Sequence, residues 1–522
     1  MKFLPRALDN SKLMMLRTYY NEGTRDFTTP DDVLDFVYKD IETGKIYVES
    51  IPHPKIEIWV VKPEHRTYDY YKSFIDKDIC DCYLVPYKSR MEEVGKILGC
   101  SPKEAKYSKY VAQLDMDIEH FYIMQFYKEY GINVETKPLV LGFSDIESDI
   151  ISIEDRFAEP GEAPTNLISY FDGGTNTMYT FACIQDNVPH VKETNPRYQF
   201  YEELRKKFYE QTEYWMNHLD DFIQDCHKMF DDSYGSDIEY KVMVFGDEIS
   251  MFKAYWKLLD QCQNDYLFFW NAPYDVSNLI ERPRALGVDP SEIIVCPEFG
   301  HRVVYWSEDN NPVVHKRKHI FDTYTKFSIM DQMVNYAGIR SGKGKLPSVR
   351  LNAIGQRELK DEKIDYSESG NIRMFPYDDW WKFVLYNIKD VLLQKGIEKS
   401  TNDANYIYLV MTTSSLKTSE IFTSTTVVGN DLRLYADMVK NKVMGSNKNK
   451  LFRKPKTEEQ KKQEKKDKFA GAFVMNPSHC NSTGFVILGE ENKLVHDNAI
   501  DFDISSELMV AYFKSIEIWG SL

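Results

Sequence analysis

From residue 139 to about residue 400, apolar runs of strand length alternate with amphipathic segments of helical length, which limits the folds open to this chain. The helical segments occupy residues 199–230 and 249–262. The strand-like runs are LVLGFSDIE, LISYFDG, TMYTFACIQ, YKVMVFGDE and DYLFFWN. Because strands and helices in such an order bury their apolar faces by packing helices against a sheet, the sequence predicts an α/β or α+β domain here.

The segment before this domain has a different pattern, in which residues 33–62 alternate apolar and polar side chains. The runs DFVYKD, KIYVES and IEIWVVK, separated by turn residues, predict a small antiparallel sheet. Residues 103–130 have helical spacing, and Gly131 is a suitable residue to end that helix. A chain of 522 residues is long enough for about two to four domains, so we predict a mixed α/β, multi-domain protein.

The formal net charge of −16 argues against a protein that coats DNA indiscriminately, because such binding depends on counterion release by basic residues. A local basic groove is compatible with this charge. The N-terminal sequence is interrupted by Pro5 and by charged residues, so it does not resemble a secretory signal, and no apolar stretch reaches the roughly 20 residues that cross a bilayer. We therefore expect a cytoplasmic protein without membrane association. The eight cysteines are scattered without a C-x-x-C pair, which favours reduced thiols.

Two acidic residues close the first apolar run, where Asp145 and Glu147 are two positions apart. Residues i and i+2 of a strand face the same side, so both carboxylates could hold one metal ion. Ionised carboxylates beside a buried strand are costly unless they are paired or bound to metal, and hard oxygen ligands suit Mg²⁺ or Mn²⁺. The tripeptide Asp-Ile-Glu also occurs at residues 117–119, where it begins a helical segment and is interpreted as solvated surface or a helix cap.

Further carboxylates occupy two later elements. The run DYLFFWN leads into Asn271, Tyr274 and Asp275 at the start of a predicted helix. By itself, Asp275 could simply be a first-turn residue favoured by the helix dipole. In the helical segment WWKFVLYNIKDVLLQKGIEK, Tyr386 and Asp390 are four residues apart and share one face. They could be a core tyrosine beside an exposed acid, but the apolar residues around Asp390 favour a half-buried carboxylate that needs a partner.

These carboxylates fit one chemistry when they are taken together. Two metal ions about 3.5–4 Å apart can activate a water molecule, stabilise the charge that develops on a phosphate and assist departure of the 3′ oxygen. A tyrosine hydroxyl can orient the attacking water. Such a site needs about four carboxylates from separate elements and one hydroxyl, and the sequence contains a set of this composition.

In chain order, the same segments resemble the three exonuclease motifs of family B DNA polymerases, nearest to the replicative enzymes of T-even-like bacteriophages. SDIE is similar to the first motif, WNAPYD to the second and YNIKD to the third. The segments GDEISMFKAYWKLL, HIFDTYTKFSIM and LPSVRLNAIG also resemble the family pattern, and VVYWSEDNNPVVH resembles the β-hairpin that phage-type enzymes insert in the exonuclease domain. Nearer the C-terminus, FAGAFVMNP and DFDISSELMV resemble the segment that joins the exonuclease and polymerase regions and the first polymerase motif.

The resemblance implies a 3′→5′ proofreading exonuclease with an RNase H-like domain, in which helices flank a mixed sheet. The catalytic residues that it implies are Asp145, Glu147, Asp275, Tyr386 and Asp390. Their four carboxylates would hold two Mg²⁺ ions, with Mn²⁺ as an alternative. The resemblance also implies that Asn271 and Tyr274 contact the DNA strand, and that Asp503 binds a metal ion in the polymerase site.

Family boundaries carried onto this chain divide it into four parts. The expected parts are a β-rich N-terminal domain at 1–138, the exonuclease domain at 139–403, a helical and charged segment returning to the N-terminal domain at 404–468, and the start of the palm domain at 469–522. The charged run between residues 440 and 468 is interpreted either as a solvated linker or exposed helix, or as a basic segment near DNA or a partner. Leu508 and Met509 stand where the family usually has a tyrosine and then a proline, a departure that bears on sugar discrimination.

The sequence up to Leu522 contains neither the basic fingers helix nor the second palm aspartate that a polymerase site needs. We therefore expect DNA synthesis to require a separate C-terminal chain with the fingers, the thumb and the rest of the palm. The expected partners are DNA (as primer–template or a single-stranded 3′ end), that C-terminal polymerase chain, and a sliding clamp reached through it. Two other functions fit the same residues, namely a free-standing 3′→5′ DNA exonuclease and a non-catalytic DNA-binding scaffold. The complete carboxylate set argues against the scaffold, because like charges without a metal ion are destabilising.

Overall fold

The computed structural model describes residues 13–23, 32–131, 139–153, 156–343 and 346–446. These residues form a mixed α/β protein, as the sequence predicts, with sixteen strands and fourteen α-helices among them. The elements are numbered in chain order below.

The described strands range from two to nine residues in length. They are β1 (Leu13–Asn21), β2 (Val33–Asp40), β3 (Ile46–Pro52), β4 (Lys55–Val61), β5 (Phe74–Asp76), β6 (Cys80–Pro86), β7 (Val111–Ala112), β8 (Leu141–Ser148), β9 (Thr165–Asp172), β10 (Thr177–Cys183), β11 (Glu239–Phe245), β12 (Tyr266–Phe269), β13 (Tyr305–Ser307), β14 (Ile320–Asp322), β15 (Ser328–Asp331) and β16 (Lys442–Met444).

The described α-helices range from single turns to a helix of 22 residues. They are α1 (Arg90–Leu98), α2 (Pro102–Ala105), α3 (Ile118–Tyr130), α4 (Tyr198–Asn217), α5 (Leu219–Tyr234), α6 (Glu248–Gln261), α7 (Ala272–Ala285), α8 (Ser291–Ile294), α9 (Gln332–Ile339), α10 (Leu351–Glu358), α11 (Phe375–Asp378), α12 (Trp380–Thr401), α13 (Asp403–Thr413) and α14 (Ser424–Leu434).

The strands at residues 33–62 belong to two sheets instead of one. β1, β2 and β3 make an antiparallel sheet in that order, whereas β4 lies between β6 and β7 in a second antiparallel sheet. The single sheet predicted for residues 33–62 is therefore wrong, although its three strands are present. The chain changes sheets at Pro52-His53-Pro54, because the prolines have no N–H to donate and His53 adopts a positive φ of 47°.

Two predicted helices are each divided in the structure. The pattern at residues 103–130 contains α2, the short strand β7 and α3, and α3 begins anew because the Asp117 side chain caps it. Gly131 ends α3, as predicted. The pattern at residues 199–230 forms α4 and α5, which meet at His218, where the backbone leaves the helical conformation.

A six-stranded sheet organises residues 141–331. Its order is β11-β10-β9-β8-β12-β15, with β9 antiparallel to β8 and β10 and the other neighbours parallel. α12 crosses one face in contact with β8 and β9. Ile146 packs in an apolar cluster with residues of α6 and α7 on the other face, whereas Phe143 packs in the cluster that includes α12. Asp145 and Glu147 alternate with Ile146 along β8, so both face α12.

Residues 403–446 return to the N-terminal part of the chain. β16 pairs in antiparallel with β5. Asp437 forms ion pairs with Lys77 and with Lys128, each at 2.6 Å. These contacts connect residues 403–446 with the N-terminal part of the described chain. The four domain boundaries stay predictions.

The segment that resembles an inserted hairpin contributes one strand, β13. Its antiparallel partner is β14, which lies after the segment, so residues 308–319 connect the two strands. Most of this connection is irregular, with a single 3₁₀ turn at Val314–Lys316.

Other sequence predictions concern membrane spans, the cysteines and the residues near the C-terminus. None of the described helices is apolar over enough of its length to cross a membrane. The cysteines of the described ranges are all free thiols. The charged run from residue 447 onward lies outside the described residues, as do Asp503, Leu508 and Met509.

Candidate metal centre

The strand β8 brings two carboxylates to one face of the sheet. Asp145 pairs with Ser169 of β9, and Glu147 pairs with Leu167, so both lie in the antiparallel β8–β9 ladder. Their backbone groups are fixed by neighbours, while their side chains extend toward α12. Both side chains keep an edge open to solvent.

The long helix α12 supplies the third carboxylate. Asp390 is 1% exposed, and one of its oxygens lies within 4.8 Å of an oxygen of Asp145 and of Glu147, which are equally close to each other. Two elements separated by more than 240 residues thus place three carboxylates around one point. This arrangement is the only group of metal-ligand spacing found among the described residues.

Asp275 lies beside this cluster without belonging to it. The carboxylate is buried in the first turn of α7, and its Oδ1 accepts a hydrogen bond from the backbone N–H of Ile146 at 3.2 Å. The chain turns from β12 into α7 at Asn271, which adopts a left-handed conformation with φ of 66°. Asparagine tolerates this conformation better than most residues, so the turn that delivers Asp275 depends on Asn271.

The carboxyl groups of the site raise one another's pKa. Burial, and then the charge of Asp390, raises the pKa of Asp145 to about 8. Burial followed by Asp145 raises the pKa of Glu147 and of Asp275 well above their usual range. Burial also raises the pKa of Asp390, although the neighbouring Lys363 offsets part of that effect. Without a bound cation, the cluster therefore retains protons near neutral pH.

Lys363 is a residue of the site that the sequence prediction missed. Its Nζ donates to Asp390 Oδ2 at 2.5 Å and to the Tyr386 hydroxyl at 3.1 Å. Burial alone would lower the pKa of Lys363, but Asp390, Tyr386 and Asp145 hold it above its usual range, so the ammonium stays charged. Lys363 lies in the charged stretch KDEKID between α10 and α11, and nothing in that stretch distinguishes it from a surface lysine.

Asn387 is the second residue that was missed, and here the sequence contains a usable signal. Its Nδ2 donates to Asp145 Oδ2 at 2.9 Å. Asn387, Asp390 and Gln394 follow one another at i, i+3 and i+7 on α12, and all three are at most 1% exposed. Gln394 also donates to the backbone carbonyl of Ser144, at 3.3 Å. A buried polar stripe at helical spacing predicts a face that contacts other polar groups.

Tyr386 is held by packing as well as by Lys363. Its ring meets those of Tyr366 and Phe375 edge to face, with centroids 5.8 Å apart in both pairs. The side chain is 6% exposed. Burial, followed by the charge of Asp390, raises the pKa of Tyr386, so its hydroxyl keeps its proton.

An open groove of about 980 Å³ adjoins the cluster. Asn271, Lys363 and Tyr386 line it, together with Arg350 at the start of α10 and residues of the loop between α10 and α11. Its connection to the carboxylates is through Lys363, which contacts Asp390. Tyr274, the other predicted contact residue, lies in the first turn of α7 and is 44% exposed. The groove therefore gives a ligand access to three residues that surround the carboxylates.

The donor set fits a divalent metal ion. All of the clustered ligands are carboxylate oxygens, which are the ligands that Mg²⁺ and Mn²⁺ prefer. Asp390 Oδ1 is buried and has no hydrogen-bond partner among the described residues, so it is free to coordinate. Lys363 is the only described cation in ion-pair contact with any of the four carboxylates, so the protein itself balances little of the charge that they carry when ionised.

The structure therefore brings Asp145, Glu147 and Asp390 together. Asp275 accepts a hydrogen bond from Ile146 on the same strand, and Tyr386 shares Lys363 with Asp390. Asn271 lies at the groove. No protein-family model matches this chain, and no curated protein is similar to it.

Proposed function

We propose that this chain is the exonuclease-bearing N-terminal part of a family B DNA polymerase of the T-even-like phage type. Its RNase H-like domain would hydrolyse DNA from the 3′ end. The observation that supports this activity best is the convergence of Asp145, Glu147 and Asp390 beside an open groove. The resemblance to three exonuclease motifs selects the same residues without using any distance, so the two arguments are independent.

The four carboxylates would hold two Mg²⁺ ions, or Mn²⁺ in their place. When bound, such ions supply the positive charge that activates a water molecule and stabilises the charge developing on the scissile phosphate. The protein's contribution is to hold four acidic groups close together against their mutual repulsion, on a strand and two helices with buried surroundings. A rigid framework of this kind needs little reorganisation during the reaction.

Tyr386 and Lys363 would position the attacking water. The Tyr386 oxygen accepts a hydrogen bond from Lys363, so its own O–H can be directed to a water molecule in the groove. Because the pKa of Tyr386 is raised, the hydroxyl acts as a donor and does not serve as the base. Lys363 also fixes Asp390, so one ammonium group sets the orientation of both residues.

The groove would hold the terminal nucleotides of a single strand. Tyr366 offers an aromatic ring on which a base can stack, and Arg350 offers a guanidinium for a phosphate. Asn271 has an amide at the groove beside the turn into α7, where it can bond to a sugar or phosphate oxygen. The expected substrate is therefore a 3′ end that is free of its complement.

Incubation of the purified chain with 5′-labelled single-stranded DNA and Mg²⁺ tests the exonuclease. We expect stepwise shortening from the 3′ end, loss of this activity in Asp145→Asn, and full activity in Asp232→Asn, which changes the same charge at an exposed position of α5. A wild-type chain that leaves the strand intact, with correct folding verified by its melting transition, would contradict the proposal. Endonucleolytic products would contradict the groove as the binding site for a 3′ end.

The polymerase part of the proposal depends on Asp503, which lies outside the described residues, and on groups from a separate C-terminal chain. Its test is DNA synthesis on a primed template after a candidate C-terminal chain is added. Synthesis that requires both chains and disappears with Asp503→Asn would support the proposal. Exonuclease activity that is unaffected by every such chain would instead favour a free-standing exonuclease.

A further inference from the structure

Five consecutive basic or imidazole-bearing residues, His315 to His319, occur in the connection between β13 and β14. We call residues 315–319 the basic loop. Lys316 and Lys318 are exposed, and no carboxylate of the described residues forms an ion pair with either ammonium. In a chain with a net charge of −16, such a local concentration of unpaired positive charge is unusual. It is a surface suited to a polyanion.

The basic loop is held in one conformation by its own neighbours. Asp309 Oδ2 accepts a hydrogen bond from the backbone N–H of Lys318 at 3.0 Å, and its backbone N–H donates to His319 Nδ1 at 3.1 Å. The Arg317 Nε donates to the carbonyl of Asn311, also at 3.0 Å. His319 is buried, and its pKa is lowered to about 4 by burial and then by Arg317, so it is a neutral anchor near pH 7.

Fixing like charges beside one another has an electrostatic cost, which a bound polyanion would remove. The Asp309 and Arg317 contacts restrain the backbone that carries the two lysines. Exposed apolar side chains flank the lysines: Ile320 is 44% exposed and Val313 39%. A basic segment between exposed apolar groups is the composition of a surface that tracks a nucleic-acid backbone.

The basic loop and the exonuclease groove share one apolar cluster. Trp270, Met333 and Leu351 line the groove and pack together in that cluster. Val314, the residue before the basic loop, packs against the same cluster. The basic loop therefore begins beside the apolar cluster that forms one wall of the groove.

We propose that Lys316 and Lys318 bind backbone phosphates of the DNA strand whose 3′ end occupies the groove. This inference rests on the proposed exonuclease function, which it deepens by naming a second contact region for the substrate. The loop would retain the strand between successive cleavages, because its contacts are with the backbone and do not depend on base sequence.

The test is binding of a 5′-labelled single-stranded oligonucleotide in EDTA, measured by fluorescence anisotropy over a range of salt concentrations. The variant is Lys316→Gln/Lys318→Gln. The matched control is Lys253→Gln/Lys257→Gln, which removes the same charge from exposed positions of α6, on the sheet face opposite α12. Melting transitions of both variants verify folding.

We expect the variant to lose two phosphate contacts and the control to lose none. Each contact with a single strand contributes about 0.7 to the slope of log K against log salt, so the variant slope should be shallower by about 1.4. The ratio of the variant Kd to the wild-type Kd should then be about sevenfold larger at about 50 mM salt than at about 200 mM salt.

The outcomes separate this inference from the proposed function. If the wild-type chain shortens single-stranded DNA and the variant has the wild-type salt slope, the basic loop is not a phosphate site while the exonuclease stands. An equal change in the control would also overturn the inference, because the effect would then reflect net charge. If the wild-type chain neither binds nor shortens the strand, the proposed function fails and this inference fails with it.

Discussion

In metal-free solution, the folded chain should keep Asp145 protonated across a wide range of pH, because burial and the charge of Asp390 raise its pKa from 3.8 to about 8. The unfolded chain has no such surroundings, so its Asp145 loses the proton near pH 3.8. Between these two values the folded state binds one proton more than the unfolded state. Stability from this group is thus fully present below the unfolded pKa and is lost as pH rises to about 8.

The magnitude follows from the proton count. One extra proton in the folded state lowers the free energy of unfolding by about 1.4 kcal/mol for each pH unit. Between about pH 5 and pH 7 the wild-type protein should therefore lose about 2.7 kcal/mol through Asp145 alone. The Asp145→Asn variant has no proton to lose there, and its amide oxygen can still accept the hydrogen bond from Asn387. The free energy of unfolding of the variant should therefore fall less steeply with pH than that of the wild type. The two slopes should differ by about 1.4 kcal/mol per pH unit.

Urea titrations in EDTA at several pH values give the free energy of unfolding for both proteins. Asp232→Asn, at an exposed position of α5, is the control for the loss of one negative charge. Addition of Mg²⁺ should flatten the wild-type curve and leave the Asp145→Asn curve nearly unchanged, because the ion replaces the proton at the carboxylate cluster. The variant should be more stable than the wild type near pH 7.5 in EDTA and inactive as a nuclease in Mg²⁺.

Parallel pH profiles for the wild type and Asp145→Asn would refute this reasoning. Such a result would mean that Asp145 is ionised in the metal-free fold, so that the surrounding groups already compensate its charge. The excess negative charge would then give no reason to expect a metal ion. A Mg²⁺ effect that is equal in both proteins would place the ion elsewhere.

Other perturbations of the site and the fold have defined outcomes. Lys363→Met should lower kcat of the exonuclease by about 10²-fold, since it removes the cation that orients Asp390, and single-turnover rates would detect a smaller loss. Tyr386→Phe should lower kcat by about 10²-fold with little change in KM, because the hydroxyl positions water and not the strand; a change in KM alone would contradict that role. Arg302→Ala should lower the free energy of unfolding by about 3–5 kcal/mol, because it leaves the buried Asp35 without its bidentate partner at 2.8 and 2.9 Å. Urea titration near pH 7 measures this loss, and a cost below about 1 kcal/mol would show that Asp35 has another compensating group.

Local pattern predicted the elements of the fold better than their pairing. The strands at residues 33–62 and the six-stranded sheet's apolar runs are found where alternation or apolar length predicts them. Which strands share a sheet depends on contacts between distant residues. The prolines at 52 and 54 indicate a turn, but a turn alone does not show that the chain enters a second sheet. Helix divisions at Asp117 and His218 were missed for a similar reason, since periodicity continues across a cap or a bend.

The acidic members of the site were predictable because their sequence contexts restrict them. Asp145 and Glu147 alternate with apolar residues on a strand, and Asp390 lies among apolar residues on a helix, so the pattern predicted acidic groups beside the core. Lys363 reaches the site from a charged loop, where any lysine would satisfy the local pattern. Its role depends on the tertiary approach of that loop to α12, which no window of sequence contains.

The two Asp-Ile-Glu tripeptides show what distinguishes a metal site from an ion-pair network. In the helical copy, residues i and i+2 diverge: Asp117 caps α3, whereas Glu119 turns inward, so the surface interpretation is wrong for that residue. Lys417 compensates both of these carboxylates, at 3.6 Å from Asp117 and 2.6 Å from Glu119. In the strand copy, Asp145 and Glu147 converge on one face and lie near two further carboxylates. Among the described residues, the ion pair of Lys363 with Asp390 is the only one that this group forms. The same three residue types therefore have different surroundings, because the helix gives its acids a cation from the protein and the strand places its acids where they could hold a metal ion.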